Sequence, residues 1–169
     1  MPKVSEGEVA FVRRAIELAC TAVGDGHHPF AAVLVSSQGQ VLFEGTNLVA
    51  KSGDPIDHAE VNTLRSAYRM HGLGSIIGAA LYVSGEPCTM CAGMIVRFGI
   101  SRVVFAAPES VLISLWKPTA GFKSYPSAKV FQAAGSAIEV IGGVLIEESK
   151  KPFELYHSQL TAREPTRTS

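Results

Sequence analysis

Apolar residues recur every three or four positions near the start of the chain. This spacing predicts an amphipathic helix over about residues 8–23, which Gly24-Asp25-Gly26 ends. Two short apolar runs rich in β-branched residues follow at 30–35 and 40–47. The polar run Ser36-Ser37-Gln38-Gly39 between them is typical of a turn, so we predict a β-hairpin.

Beyond the hairpin, helical patterns alternate with short buried strands. The predicted elements are a helix from 57–58 to about 68, a strand at 80–84, a helix at 88–97, a strand at 102–107, a helix at 127–134, a strand at 137–141 and a helix at 146–160. We expect 108–126 to be irregular and the tail 161–169 to be frayed or extended. This order predicts one three-layer α/β/α domain over 1–169, built on a mixed five-stranded sheet whose later strands are mostly parallel.

Composition and charge narrow the class of protein. Hydrophobic residues make up 47% of the 169 residues and charged residues 18%, which suits a compact domain with a buried core. The formal net charge is zero, whereas proteins that grip phosphates usually carry a basic excess. We therefore expect a small neutral substrate rather than a nucleic acid. Neither a membrane span nor a signal peptide is evident, so we expect a cytoplasmic protein.

Two short motifs at predicted helix starts carry the candidate chemistry. They are His58-Ala59-Glu60 and Pro87-Cys88-Thr89-Met90-Cys91. A Cys-x-x-Cys at a helix start places two sulfurs on one metal ion, and His58 from a neighbouring helix supplies a third ligand. Zinc with three protein ligands keeps a fourth position for water, which is typical of catalytic sites. The partial positive charge at helix N-termini favours thiolates there.

Glu60 is the candidate proton carrier. It lies two residues after His58, where a helix start can aim its carboxylate at the water on the metal. A carboxylate in that place can take a proton from water and later give it to departing ammonia. His-x-Glu followed by Pro-Cys-x-x-Cys is the signature of zinc nucleobase deaminases.

Other interpretations of these residues remain open at this stage. The Cys-x-x-Cys could be a redox pair, and a structural zinc site would need a fourth Cys or His. Cys20, the third cysteine, fits the apolar face of the first helix, and we interpret it as a core residue. The remaining histidines are interpreted as loop or surface residues: His27, His28, His71 and His157.

The motifs resemble those of the cytidine deaminase superfamily, in the branch that contains guanine deaminases, cytosine deaminases and bacterial tRNA adenosine deaminases. The resemblance runs over about residues 9–105. The segments that carry it are Pro29-Phe30-Ala31-Ala32-Val33-Leu34-Val35, Asp54-Pro55-Ile56-Asp57-His58-Ala59-Glu60 and Glu86-Pro87-Cys88-Thr89-Met90-Cys91-Ala92-Gly93. It implies one zinc ion per chain, held by His58, Cys88 and Cys91, with Glu60 as the proton shuttle.

The resemblance also implies contacts with the substrate. They are the side chain of Asn47, the pocket wall Phe30, the backbone N–H of Ala59 and the carbonyl near Glu86. Asn47 could instead be a turn residue, and Phe30 could belong to the core. Trp116 and Tyr156 are further candidates because an aromatic ring can stack on a flat base, although simple packing would also explain them.

The resemblance implies a hydrolytic deaminase acting on a free nucleobase, nucleoside or related amino-heterocycle of guanine or cytosine type. The alternatives are a tRNA adenosine deaminase and a non-catalytic zinc-stabilised binding module. The residues after Ala107 lack the basic stretch of the tRNA enzymes. Gly121-Phe122 is followed by Lys123-Ser124, where guanine deaminases place an acid. The base itself is left open.

Members of this superfamily are commonly dimers, so the resemblance implies a homodimer. The apolar residues of the predicted helix at 88–97 and just after it are candidates for the subunit contact: Met94, Ile95 and Phe98. Packing inside the same chain is the alternative for each of them.

Overall fold

The computed structural model of the chain describes residues 3–116 and 125–163; for Trp116 and Arg163 it describes the backbone only. Its helices are α1 (Glu6–Gly24), α2 (Val49–Ser52), α3 (Ala59–His71), α4 (Thr89–Arg97), α5 (Glu109–Trp116), α6 (Ser127–Ala133), α7 (Ile146–Ser149) and α8 (Lys151–Arg163), with a 3-10 turn at Leu73–Ser75. Its strands are β1 (Ala31–Val35), β2 (Val41–Thr46), β3 (Ala80–Gly85), β4 (Arg102–Ala107) and β5 (Glu139–Gly142).

The strands form one mixed sheet in the order β2-β1-β3-β4-β5, which confirms the predicted fold class. β1 is antiparallel to β2 and to β3, whereas β3, β4 and β5 are parallel. The pairings Ala31↔Thr46 and Gly85↔Ala107 fix the register. The start of β1 and the ends of β2, β3 and β4 therefore lie along one edge of the sheet, where the site is built.

Helices cover both faces of the sheet, as predicted. On one face α1 packs Val12 and Ile16 against a cluster that includes Val33 and Val104. On the other face α3, α4 and α6 bury a larger cluster, in which Leu64 and Ile95 are fully buried. α1 begins with a capping box in which Ser5 and Glu8 satisfy each other's backbone N–H groups.

α3 lies unusually close to β2 at one point. A Cβ atom built on Gly45 would lie 2.3 Å from Thr63 Oγ1 and 3.1 Å from the Thr63 backbone nitrogen. Thr63 is buried and its hydroxyl donates to the Ala59 carbonyl at 2.7 Å. The missing side chain at Gly45 thus allows α3 to approach the end of β2 closely at Thr63.

The structure corrects two expectations for the second half of the chain. Residues 108–126 are not wholly irregular, because Glu109–Trp116 forms α5; the serines hid a run of good helix formers, including Leu112 and Leu115. The last helix is divided into α7 and α8. Pro152 has no N–H to donate and lies in the first turn of α8, where it is tolerated.

α8 continues to Arg163, so the first part of the tail expected to be frayed is helical. The remaining tail and the Gly121-Phe122-Lys123-Ser124 segment lie outside the described residues. Among the helices described here, none has the length and apolar character needed to span a membrane.

Candidate metal centre

His58 and Cys88 occupy the N-cap positions of α3 and α4. Both have extended backbone angles, φ −69° and ψ 159° for His58 and φ −66° and ψ 169° for Cys88. Each carbonyl accepts the first hydrogen bond of its helix, from Asn62 at 3.0 Å and from Ala92 at 2.8 Å. Neither side chain caps its own helix. Both side chains are therefore left to point from the helix start toward a common point.

The three candidate ligand atoms meet at distances that fit zinc. His58 Nδ1 lies 3.6 Å from Cys88 Sγ and 3.6 Å from Cys91 Sγ. Tetrahedral zinc, with bonds of about 2.3 Å to sulfur and about 2.0 Å to nitrogen, would separate nitrogen from sulfur by about 3.5 Å. All three ligand atoms lie within 4.8 Å of one another. No other group of three potential metal ligands of this kind forms among residues 3–116 and 125–163.

The two sulfurs are held close enough to share a proton. A hydrogen bond with Cys91 lowers the pKa of Cys88 to about 4, with His58 adding to the effect and burial opposing it. The same hydrogen bond and burial raise the pKa of Cys91. A pair that has one thiolate already formed, at a helix N-terminus, suits a divalent cation that displaces the remaining proton.

Glu60 lies in the first turn of α3, beside these ligands. Its side chain is buried, with 6% of the residue exposed. Burial raises its pKa to about 7, and the nearby Cys88 sulfur adds to the rise. Its own backbone N–H, His58 and Cys91 act in the opposite direction. A carboxyl group whose pKa lies near the working pH can both accept and return a proton.

Asn62 braces the turn before His58, a role that the sequence patterns did not indicate. Its Nδ2 donates to the Thr46 carbonyl at 3.2 Å and to the Asp57 carbonyl at 3.1 Å. The Asp57 carboxylate in turn pairs with Arg65 at 3.3 Å. A polar residue four positions after the histidine, on the same helix face, was the signal available in the sequence.

The predicted substrate residues Phe30 and Asn47 lie side by side at the edge of the sheet. The Asn47 N–H donates to the Phe30 carbonyl at 3.0 Å. Asn47 is buried, and its Oδ1 accepts the Val49 N–H at 3.1 Å, so it also supports the turn into α2. The half-buried Phe30 ring meets Phe153 of α8 edge-on, with centroids 5.4 Å apart.

Tyr156 is half-buried on the next turn of α8. Its ring meets His28 edge-on at 5.9 Å. Burial lowers the pKa of His28, and the charge of His58 lowers it further, which places His28 within the electrostatic reach of the metal centre. Trp116 is the last residue of α5, and its side chain lies outside the described part of the chain.

Ala59 and Glu86 lie next to the ligands. Ala59 is the first residue of α3, so its N–H belongs to the helix end that has no intrahelical acceptor. Glu86 directly follows β3, and its carboxylate binds the starts of α5 and α6. The sequence does not predict that side-chain role, since the resemblance implies a role only for the carbonyl near Glu86.

Of the residues interpreted as non-ligands, His71 is exposed, as expected of a surface residue, His157 is partly buried, and Cys20 is more exposed than the core position predicted for it. His71 contacts the Leu42 carbonyl, and His157 contacts the Leu115 carbonyl. His27 and Cys20 are both partly buried, so Cys20 lies at the margin of the core.

The prediction that Ile95 forms a subunit contact is wrong. Ile95 is fully buried in the core cluster between α4 and the sheet, because the inward face of α4 points there. Met94 and Phe98 are partly buried and pack against the same cluster.

Comparison with known proteins places these features in a family. Residues 5–107 match the family model described as the cytidine and deoxycytidylate deaminase zinc-binding region. A tRNA-specific adenosine deaminase of Haemophilus influenzae is 34% identical over 152 residues, covering 90% of this chain and 84% of the relative. A guanine deaminase of Bacillus subtilis is 42% identical over 100 residues, covering 59% and 63%.

Similarity to solved structures concerns the fold. The guanine deaminase from Nitrosomonas europaea superposes with a TM-score of 0.78 at 23% identity, covering 94% of this chain and 88% of that one. The match of the family model, the long alignment with a deaminase and the paired helix starts agree. The chain belongs to the zinc-binding cytidine and deoxycytidylate deaminase family.

Proposed function

We propose that this deaminase acts on a free nucleobase, a nucleoside or a related amino-heterocycle, replacing its amino group with a carbonyl and releasing ammonia. His58, Cys88 and Cys91 hold the zinc ion, and Glu60 carries the protons. The observation that carries the proposal is the buried Glu60 carboxylate beside a set of three ligands, one fewer than the four of a structural zinc site. A purely structural zinc site would need no such acid.

The chemistry divides between the metal and the chain. Zinc, when bound, supplies the Lewis acidity that lowers the pKa of water to about 7. Glu60 accepts a proton as water attacks the amino-bearing carbon, and it returns a proton to the leaving nitrogen. The Ala59 N–H, which has no acceptor within its own helix, donates to a ring atom of the substrate. The C–N bond breaks as the C=O bond forms, so water and the amine yield the carbonyl product and ammonia.

A flat substrate suits the surroundings of the site. Two edge-on ring contacts occur here, one between Phe30 and Phe153 and one between His28 and Tyr156. Asn47 lies beside the first, since its N–H donates to the Phe30 carbonyl. Aromatic walls favour a planar heterocycle, and one amide supplies hydrogen bonds for orientation.

Deamination of adenosine in tRNA is the second candidate, because one specific observation favours it. The alignment with the Haemophilus influenzae tRNA-specific enzyme covers more of both chains than that with the Bacillus subtilis guanine deaminase. Against it stand the zero net charge and the mixed charges of α8, which carries Lys151, Glu154 and Arg163.

A substrate panel tests the proposal. Zinc-loaded protein is incubated with guanine, cytosine, adenine, their nucleosides, pterins and aminotriazines, and ammonia is measured. In parallel, inosine is measured in an anticodon stem-loop RNA. We expect ammonia from at least one small heterocycle. Inosine formation without any ammonia from small compounds would support the tRNA candidate, and no turnover of any compound would support a binding module.

We also propose a homodimer, supported by the exposed apolar side chains of Tyr68, Met70, Leu73 and Ile77; the Tyr68 ring also meets the partly buried Phe98 edge-on. Met70 is 65% exposed and Ile77 is 57% exposed, and exposed apolar surface of this kind often marks an association surface. Sedimentation velocity tests this. We expect a dimer for the wild type and a monomer for Ile77→Lys; a wild-type monomer at micromolar concentration would refute the proposal.

A further inference from the structure

We infer that the Glu86 carboxylate is a positioning residue that fastens α5 to the turn carrying the metal ligands, and so fixes one wall of the substrate pocket. The inference rests on the proposed function for its catalytic consequence. Its structural part concerns contacts that are independent of any substrate. Glu86 lies two residues before Cys88, so a tie made here reaches the metal centre directly.

Three donors converge on this one carboxylate. Glu86 Oε2 accepts the Glu109 N–H at 2.8 Å, at the first residue of α5. Glu86 Oε1 accepts the Ser127 N–H and the Ser127 hydroxyl, both at 2.9 Å, at the first residue of α6. The Glu86 N–H donates to the Ala107 carbonyl at 2.8 Å. The starts of two helices and the end of β4 are therefore joined at Glu86.

α5 is held at its other end as well. The Leu115 carbonyl can only accept, so the contact with His157 Nε2 requires that the imidazole donates. His157 belongs to α8, next to Tyr156. α5 is thus held between the turn at Glu86 and α8, which carries Phe153 and Tyr156.

α5 reaches the pocket wall through Leu112. A Cβ atom built on Gly85 would lie 3.2 and 3.3 Å from the two Leu112 methyl carbons and 3.4 Å from Phe30 Cε1. Gly85 therefore leaves room in which Leu112 and Phe30 pack together. Phe30 in turn meets Phe153 of α8. A shift of α5 would move Leu112 away from Phe30 and open this wall.

A carboxylate suits this place because all three partners are donors. Two carboxylate oxygens accept them all, whereas a glutamine would turn an NH₂ group toward at least one of them. Hydrogen bonds to a charged acceptor are also stronger than neutral ones. Glu86→Gln keeps the size and the backbone of the residue and removes this matched set of acceptors.

Hydrogen exchange on the zinc-loaded full chain tests the inference without a substrate. In Glu86→Gln we expect amides in 109–116 and 127–133 to exchange roughly tenfold faster, with 89–97 unchanged and zinc content unaltered. The single tryptophan, Trp116, lies at the end of α5, so its fluorescence anisotropy should fall in the same variant. Ser127→Ala, a milder change, should speed exchange mainly in 127–133.

The matched control is Glu8→Gln, which alters a helix-capping glutamate far from α5 and should leave exchange in 109–116 unchanged. Unchanged exchange in folded Glu86→Gln would overturn the inference, and so would loss of zinc with α5 still protected. With a substrate from the panel, Glu86→Gln should raise KM about tenfold and lower kcat less. If no substrate is found, the proposed function fails while the exchange result still decides the role of Glu86.

Discussion

His58 and Cys88 hold the same position, the N-cap, at the starts of two different helices, and His58 Nδ1 lies 3.6 Å from Cys88 Sγ. The sheet brings these helix starts together, because β2 and β3 end at the same end of the sheet; α4 follows β3 after a short turn, and α3 follows β2 after α2 and a loop. Each helix also directs its N-terminal partial charge at the shared point. The N-termini of α3 and α4 therefore both position the candidate ligands and direct partial positive charge at them.

Removing the metal should destabilise the protein. A strong chelator should lower the melting temperature, and added zinc should restore it, because an ion that binds only the folded state at 1,000 times its Kd adds about 4 kcal/mol. Differential scanning fluorimetry and elemental analysis measure this.

Cys91→Ser should reduce bound zinc well below one per chain. Cys20→Ser is the control and should keep full zinc content; equal zinc in both variants would contradict the ligand assignment.

Gly45→Ala should disturb the site from a distance. The added methyl group would meet the Thr63 hydroxyl and backbone, so α3 must shift, at a cost of about 1–3 kcal/mol. Because α3 starts next to His58, we expect weaker zinc binding together with a lower melting temperature. Gly7→Ala, at an exposed position of α1 with nothing within 4 Å of the added Cβ, is the matched control and should be neutral or slightly stabilising. A Gly45→Ala protein as stable as the wild type would show that the close approach is not required.

The first helix should contribute a pH-dependent part of the stability. Burial raises the pKa of Glu8, but the Ser5 N–H, the Ser5 hydroxyl and Arg102 together lower it below the ordinary value of 4.5. A lowered folded-state pKa means that this contribution is present above pH 4.5 and is lost as the pH falls through the folded value.

Urea unfolding at two pH values tests this contribution. Glu8→Gln should lower the free energy of unfolding by about 1 kcal/mol at pH 7. The difference from the wild type should shrink as the pH falls from 4.5 through the lowered folded-state pKa. A difference of the same size at both pH values would show that the charge of Glu8 is not the cause.

The sequence sufficed to predict which three candidate metal ligands the fold brings together, because their signal is local. His-x-Glu and Cys-x-x-Cys each fit within one helical turn. The predicted alternation of helices and buried strands placed both motifs at helix starts beside one sheet. The family model and the mixed sheet confirm the resemblance and the fold class. The roles of Asn47, Phe30 and Tyr156 toward a substrate stay predictions.

What the sequence could not indicate depends on contacts between distant segments. Glu86 meets Ser127 across 41 positions, and no periodicity reports such a contact. The sequence does not predict α5 because its serines and the proline before it are typical of a loop. The helix is supported instead by a contact that the sequence does not show, the packing of Leu112 over Gly85. Ile95 was misplaced because an apolar helix face predicts burial without saying against what.

The most direct measurement is made on Glu60→Gln, with zinc content and ammonia release determined on the same preparation. If Glu60 carries the protons, the variant should hold about one zinc per chain and lose at least 10²-fold in kcat. Glu17→Gln, an exposed carboxylate on α1, should retain wild-type activity. A Glu60→Gln protein that binds zinc and releases ammonia at the wild-type rate would contradict the account.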